Sequence, residues 1–255
     1  MKFHRMCLSL VPALMLAVGC SKNSTEPNEV EALSDSEQIT IVATEVAQSN
    51  GGAMSDLNMV ASNSEGNYGA LGKSAGFDTT ITKGWITYNL DLSFFTQQGI
   101  PQNRYVQGVT DKVVSVSSLA GNYTDPLGAI TIGLKTGSNL TATGLKSGKA
   151  TVNGSGTNTS SYSFAGNRRQ LSLVAASSYS VSNVVIDLNG ASYVPASGTL
   201  EGTAKGKFTV TSAQQTQEKD YAFTFTLTFN GNNQVTVTLP SGKQYTLNLM
   251  TGKFN

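Results

Sequence analysis

Between Tyr221 and Phe229 the apolar residues Tyr221, Phe223, Phe225, Leu227 and Phe229 take every second place, with Ala222, Thr224, Thr226 and Thr228 between them. Successive side chains of a strand point to opposite faces, so this period predicts a strand with one aromatic face and one threonine face. Asn230-Gly231 follows and supplies residues tolerant of positive φ, as a tight hairpin needs. The alternation resumes at Val235, Val237 and Leu239, breaks at Pro240-Ser241-Gly242 and returns at Tyr245, Leu247 and Leu249. Residues 219–253 therefore predict three antiparallel strands that share one buried face.

The chain before this meander repeats the theme. Ile86, Tyr88, Leu90, Leu92 and Phe94 alternate with Thr87, Asn89, Asp91 and Ser93, and Trp85, the one tryptophan, stands at the start of that run. Shorter strands are predicted over 105–109, 113–119, 130–135, 140–145, 149–153, 161–164, 170–175, 199–204 and 207–211. Asp125-Pro126-Leu127-Gly128 is a β-turn signal, and further turns are predicted at 136–139, 146–148 and 166–168. Tyr179 and Val181 hold odd places while Val184, Ile186 and Leu188 hold even ones. One extra residue near Asn183 would make a β-bulge and bend the strand. Strands and turns recurring every ten residues or so mark an all-β domain. The expectation for 78–255 is an antiparallel meander forming a curved sheet, an open half-barrel or a sandwich.

Ahead of it, Ile39, Val42, Ala43 and Val46 fall at the spacing of a helical stripe, with Asp35 or Ser36 as the N-cap and Gly51-Gly52 as the stop after Gln48. Met54, Leu57, Met59, Val60 and Ala61 make a second, weaker helical patch. The segment 35–77 is thus expected to place one or two short α-helices over the sheet and to end in a glycine-rich stretch. In that stretch Gly72-Lys73-Ser74 has the ending of a phosphate-binding loop. Asn67 stands where its first glycine belongs, however, and no apolar strand precedes it.

Composition changes the picture most at the N-terminus. Lys2 and Arg5 precede an apolar run over 8–18 that is shorter than the ~20 residues of a membrane span, the layout of a secretory signal over 1–19. Leu16-Ala17-Val18-Gly19-Cys20 resembles the lipobox of bacterial lipoproteins, with Ala17 where Leu is commoner. The resemblance covers the leader alone. It implies cleavage between Gly19 and Cys20, diacylglycerol on the Cys20 thiol, acylation of the new amine, and a membrane anchor. Residues 20–34 then read as a lipidated flexible tether, polar and without apolar period. Scattered acids behind the cysteine only faintly resemble the surface-export signals of some bacterial lipoproteins. The expected location is the cell envelope, at the outer membrane facing periplasm or cell surface.

Only Cys7 and Cys20 are cysteines, and His4 is the sole histidine. Removal of the leader and lipidation of Cys20 leave no free thiol and no imidazole, which excludes Cys-His and Ser-His-Asp catalysis and zinc sites built on those ligands. A net charge of +1 does not favour nucleic acid. The charge is unevenly spread: eight acids face two lysines over 21–77, whereas thirteen Lys and Arg face eight acids from Asp78 onward. Asp91 and Asp187, each inside a predicted strand, are the best-placed candidates for paired glycosidase carboxylates, ahead of Glu201, Glu218 and Asp220 beside turns, and both fall on the polar face.

No metal site, no cofactor and no catalytic residue are expected. Trp85, Tyr88, Phe94, Tyr221, Phe223, Phe225, Phe229 and Tyr245 share the apolar face and are the candidate lining for an apolar ligand. Arg168-Arg169 at a hairpin tip is a candidate contact for a phosphate or a sugar acid. An outer-membrane barrel is set aside, because most other predicted strands are short and rich in Ser, Thr and Gly on both faces. Function is left between a non-enzymatic binding or structural module, a carrier of an apolar ligand or lipid, and a glycan-binding or glycan-hydrolysing surface protein.

Overall fold

The computed structural model describes residues 33–47, 52–65, 77–166, 169–189, 193–212 and 215–254. Cys20, the leader, the tether up to residue 32, Gly72-Lys73-Ser74 and Arg168 lie outside them, whereas Leu33 and Ser34, expected in the tether, belong to the start of the helical segment. Two helices, α1 (Asp35–Val46) and α2 (Ala53–Asn63), precede the strands β1 (Phe77–Lys83), β2 (Ile86–Thr96) and β3 (Pro101–Gln102). Then come β4 (Thr110–Thr124), β5 (Ile130–Thr143), β6 (Lys149–Ala165), β7 (Arg169–Asp187) and β8 (Pro195–Ser212). The chain closes with β9 (Thr216–Phe229), β10 (Gln234–Thr238) and β11 (Gln244–Asn248). Every strand pairs antiparallel with its sequence neighbour, except that β3 flanks β2 beside the main path. The result is one curved eleven-stranded meander that does not close into a barrel.

Alternation fixes which face is inward. Register lines such as Phe94–Val113–Ala142–Val152 and Leu200–Leu227–Val237 keep apolar residues opposite one another across the sheet. The inward face joins the helices in a single core that includes Leu90, Val113, Val152, Ile186, Leu200, Leu247 and, from α1 and α2, Ile39, Val42, Leu57 and Val60. The outward face carries the Thr and Ser rows.

Three strands are much longer than their sequence suggests. The expected turn at 136–139 is the middle of β5, the expected pieces 149–153 and 161–164 are both β6, and 199–204 and 207–211 are both β8. The glycines and serines that read as punctuation there are places of close approach. A Cβ on Gly156 would stand 2.4 Å from the Tyr179 ring, one on Gly202 2.2 Å from Phe225, and one on Gly206 2.5 Å from Tyr221. Aromatic rings thus lie across the neighbouring strand's glycines, a pairing that keeps a strand in register without a second side chain. Ser117 and Ser138, cross-strand partners with their hydroxyls 2.8 Å apart, are buried on the face that α2 covers, where larger residues would hold the helix off. Residues 105–109, by contrast, are a loop and not a strand.

The bulge near Asn183 is present. The register between β6 and β7 slips there, Asn183 adopts φ 52°, and its N–H donates to Asn153 Oδ1 at 2.9 Å. The hairpin after Phe229 uses three consecutive positive-φ residues, Gly231, Asn232 and Asn233. Helix α1 starts one residue before the expected cap: Ser34 accepts from the Glu37 N–H, and Glu37 reaches back to the Ser34 N–H at 2.8 Å, a capping box. Helix α2 matches the Met-rich patch.

Candidate functional site

The acids that make the N-terminal segment anionic are used in fastening the helices to the sheet. Glu45 Oε2 on α1 accepts from Asn158 Nδ2 at 3.0 Å and from Ser177 Oγ at 2.5 Å, and those two residues are cross-strand partners on the inner face. Lys219 meets Glu37 at 3.0 Å and Lys243 meets Asp35 at 2.5 Å. Beyond α2, the Tyr193 hydroxyl donates to Glu65 at 2.6 Å. Burial works against ionisation of Glu37, but the Ser34 N–H and Lys219 outweigh it and hold the carboxyl below its usual range. Hydrogen bonds from Lys243 and Ser241 do the same for Asp35. Among the described residues, the acids of 35–65 therefore find partners within the molecule, two of them lysines and the others neutral donors.

Asp56 is the exception in kind. It sits on the sheet-facing side of α2 and accepts from the Tyr179 hydroxyl at 2.5 Å. Burial raises its carboxyl from 3.8 to about 6, although hydrogen bonds from Tyr179 and Ser138 pull the other way. Burial, together with the Asp56 charge, pushes the Tyr179 and Tyr88 phenols upward. Tyr88 donates to Met59 Sδ at 2.6 Å, so both tyrosines are committed to α2.

The helices cover only part of the inner face. Beyond the Asn158–Ser177 line the long halves of β4 to β8 continue, and register places Tyr123, Ile132, Tyr162, Leu173 and Phe208 in one row across five strands. A second row, Ile130, Phe164, Leu171 and Val210, lies two residues farther out. All nine are only half-buried, and none belongs to the helix-covered core or packs on it. At ~4.8 Å per strand and ~3.3 Å per residue, the first row is about 19 Å wide and the two rows lie about 7 Å apart. Trp85 flanks this trough, its ring over Gly121 and 6.0 Å from that of Tyr123. Among the described residues nothing covers these two rows, and a contiguous exposed apolar patch of this kind marks an interaction site more often than chance exposure.

The eight aromatic residues read from the sequence divide between these two regions. Phe94, Phe225 and Phe229 are sealed in the core at 1%, 4% and 3% exposure, so their rings meet protein on all sides. Tyr88, Tyr221 and Phe223 are half-buried against the core, and Tyr245 packs on the core while meeting Phe254 edge-on at 6.4 Å. Burial pushes the Tyr221 phenol up to about 12. Trp85 alone flanks the trough, at its β4 edge. The residues that line the trough were missed because their neighbours, Ser160, Ala175, Gly121 and Gly206, break the alternation into fragments too short to read as one apolar face.

Asp91 and Asp187 do not come together. Both are exposed on the outer face, on strands separated by β4, β5 and β6, about 19 Å across the sheet at ~4.8 Å a step, and Asp187 lies farther along its strand than Ser180, the residue in register with Asp91. Paired glycosidase carboxylates stand about 5–10 Å apart. Arg169, at the start of β7, is exposed and shares the face of Leu171 and Leu173 by alternation. The outer face also has a shallow hollow of about 590 Å³, lined by hydroxyls such as Ser155, Thr157, Ser178 and Thr203 and by the Glu201 carboxylate. Among the described residues no group of three or more His, Cys, Asp or Glu could hold a metal ion. No family model, no curated protein and no solved structure matches the chain.

Proposed function

We propose that this protein is a non-enzymatic, lipid-anchored module of the bacterial cell envelope that binds an apolar ligand on the uncovered half of its inner face. The observation that carries the reading is the trough: long strands outrun the helices and leave two rows of aliphatic and aromatic residues half-exposed. Apolar area removed from water contributes about 25 cal/mol per Å², so even partial cover of such a surface by a greasy ligand is favourable by several kcal/mol. A lipid on Cys20 and the polar tether of 20–34 would hold the open face near a membrane, where apolar ligands are plentiful. Exit through the outer-membrane lipoprotein route is the location that fits this arrangement.

Native mass spectrometry of the chain from residue 21 onward, purified without detergent from a bacterial envelope, tests the reading. A hydrophobic small molecule retained at fixed stoichiometry, and lost on Leu173→Gln, supports it. A bare mass, with no uptake of any apolar probe, overturns it. A second reading, glycan binding, draws on the hydroxyl-lined hollow and Glu201 on the opposite face. It predicts saccharide binding that Leu173→Gln leaves untouched and Glu201→Gln weakens.

A further inference from the structure

We infer that the ligand of the trough is an anionic acyl lipid, held by its chain along β7 and by its head group at Arg169; this rests on the apolar-ligand reading above. The charge pattern of the long strand halves supplies the sign. Among the described residues of the long halves of β4 to β9 the strand carboxylates are Glu218 and Asp220, which alternation from Lys219 and Tyr221 puts on the outer face, while Asp125 in the β4–β5 turn has its oxygens taken by the Leu127 and Ile130 N–H groups. The described cations that share the inner face there are Arg169, Lys219 and, at the β1 edge in register with Gly121, Lys83. Lys219 is engaged by Glu37, its carboxylate 3.0 Å away, which leaves Arg169 as the exposed positive group at the outer rim of β7. An apolar floor with a cation at one end, whose described rim carboxylate Asp125 is taken up by backbone N–H groups, matches a fatty acid or lysolipid, and mismatches a neutral sterol or a cationic amphiphile.

The strand itself supplies the length. Arg169, Leu171, Leu173 and Ala175 follow one another on one face of β7, about 20 Å from end to end at ~3.3 Å per residue. Phe164 and Tyr162 of β6 stand on one side of that line, and Val210 and Phe208 of β8 on the other. At its inner end the line meets Ala175, which is already buried, and the Tyr221 ring lying over Gly206, and these stop a chain just short of the Glu45 contact with Ser177. A guanidinium presents paired donors that match a carboxylate, so the head group is recognised by geometry as well as charge.

The test uses the chain from residue 21 onward, which keeps every described residue and removes the competing acyl chains of the anchor. Displacement of the neutral fluorophore N-phenyl-1-naphthylamine is followed with sodium palmitate and, separately, with hexadecanol. Palmitate is expected to displace it at least about tenfold more readily, the scale of one charge-assisted hydrogen bond. Arg169→Gln should erase that preference with hexadecanol unchanged, and Leu173→Gln should weaken both. Far-ultraviolet circular dichroism of each variant separates loss of binding from loss of fold, and Phe208→Gln replaces Leu173→Gln if the latter does not fold. If hexadecanol binds as well as palmitate, or Arg169→Gln leaves the preference intact, the anionic head group is refuted and the apolar-ligand reading survives. If the fluorophore itself does not bind, both fall.

Discussion

Replacing Asp56 by Asn should flatten the pH dependence of stability in one defined window. Burial raises the carboxyl from 3.8 to about 6 in the folded protein, while the unfolded chain keeps the lower value. Between these two the folded state holds a proton that the unfolded state has released, so stability falls as pH rises. The advantage is fully present below pH ~4 and has gone above pH ~6.5. A displacement of about 2 units corresponds to ~3 kcal/mol in all, and roughly half has gone by pH 5. Asn keeps an oxygen for the Tyr179 hydroxyl and presents an amide hydrogen to Ser138, so the site remains satisfied. A neutral acceptor binds Tyr179 less strongly, by about 1 kcal/mol, which brings the net gain of Asp56→Asn at pH 7.5 to ~1–2 kcal/mol. Urea unfolding at pH 4, 5, 6 and 7.5, followed by Trp85 fluorescence, gives both curves. The carboxylates held low by partners, Glu37 and Asp35, contribute the opposite slope to wild type and variant alike, so the difference between the curves isolates Asp56. Parallel curves from pH 4 to 7.5 would refute the assignment of a buried, proton-retaining carboxyl.

Gly202→Val should destabilise the sheet by at least ~2 kcal/mol, because its Cβ would lie 2.2 Å from the Phe225 ring; thermal melts of Gly202→Val with and without Phe225→Leu should show partial rescue. Asn183→Gly should be close to neutral and Asn183→Val should cost ~1–2 kcal/mol, since φ 52° strains a β-branched residue; equal melting temperatures for the two would show that the bulge does not constrain the backbone. Cys20→Ser should abolish incorporation of labelled palmitate and release the chain from the lipoprotein pathway, read by metabolic labelling and membrane fractionation; continued labelling would place the acyl group elsewhere. Ser34→Ala removes a side-chain cap from α1 and should lower stability by about 1 kcal/mol in urea unfolding, with no change in ligand displacement at the trough.

Local pattern alone determined a good deal. The two-residue period at Ile86–Phe94 and Tyr221–Phe229 gives strands and names their inward residues, because a strand has only two faces and one of them must be buried. The phase slip at Asn183 gives the bulge for the same reason, since one inserted residue inverts every later side chain. The helical stripe in 39–46 marks α1, and no cysteine or histidine follows Cys20. Tertiary structure decided the rest. Gly156, Gly202 and Gly206 read as breaks because glycine is a turn former in isolation; only the neighbouring strand shows that each lies beneath a ring of Tyr179, Phe225 or Tyr221. The length of β5 to β8 follows from those contacts, and with it the trough, which exists because strands of 14 to 19 residues extend past helices of 12 and 11. Which aromatic residues are core and which border open space is likewise a matter of where the helices stop. Charge behaved the same way: the acids of 35–65 are legible as an excess, but their partners Lys219, Lys243, Ser177 and Tyr179 lie more than a hundred residues away, and only the fold brings them within hydrogen-bonding distance.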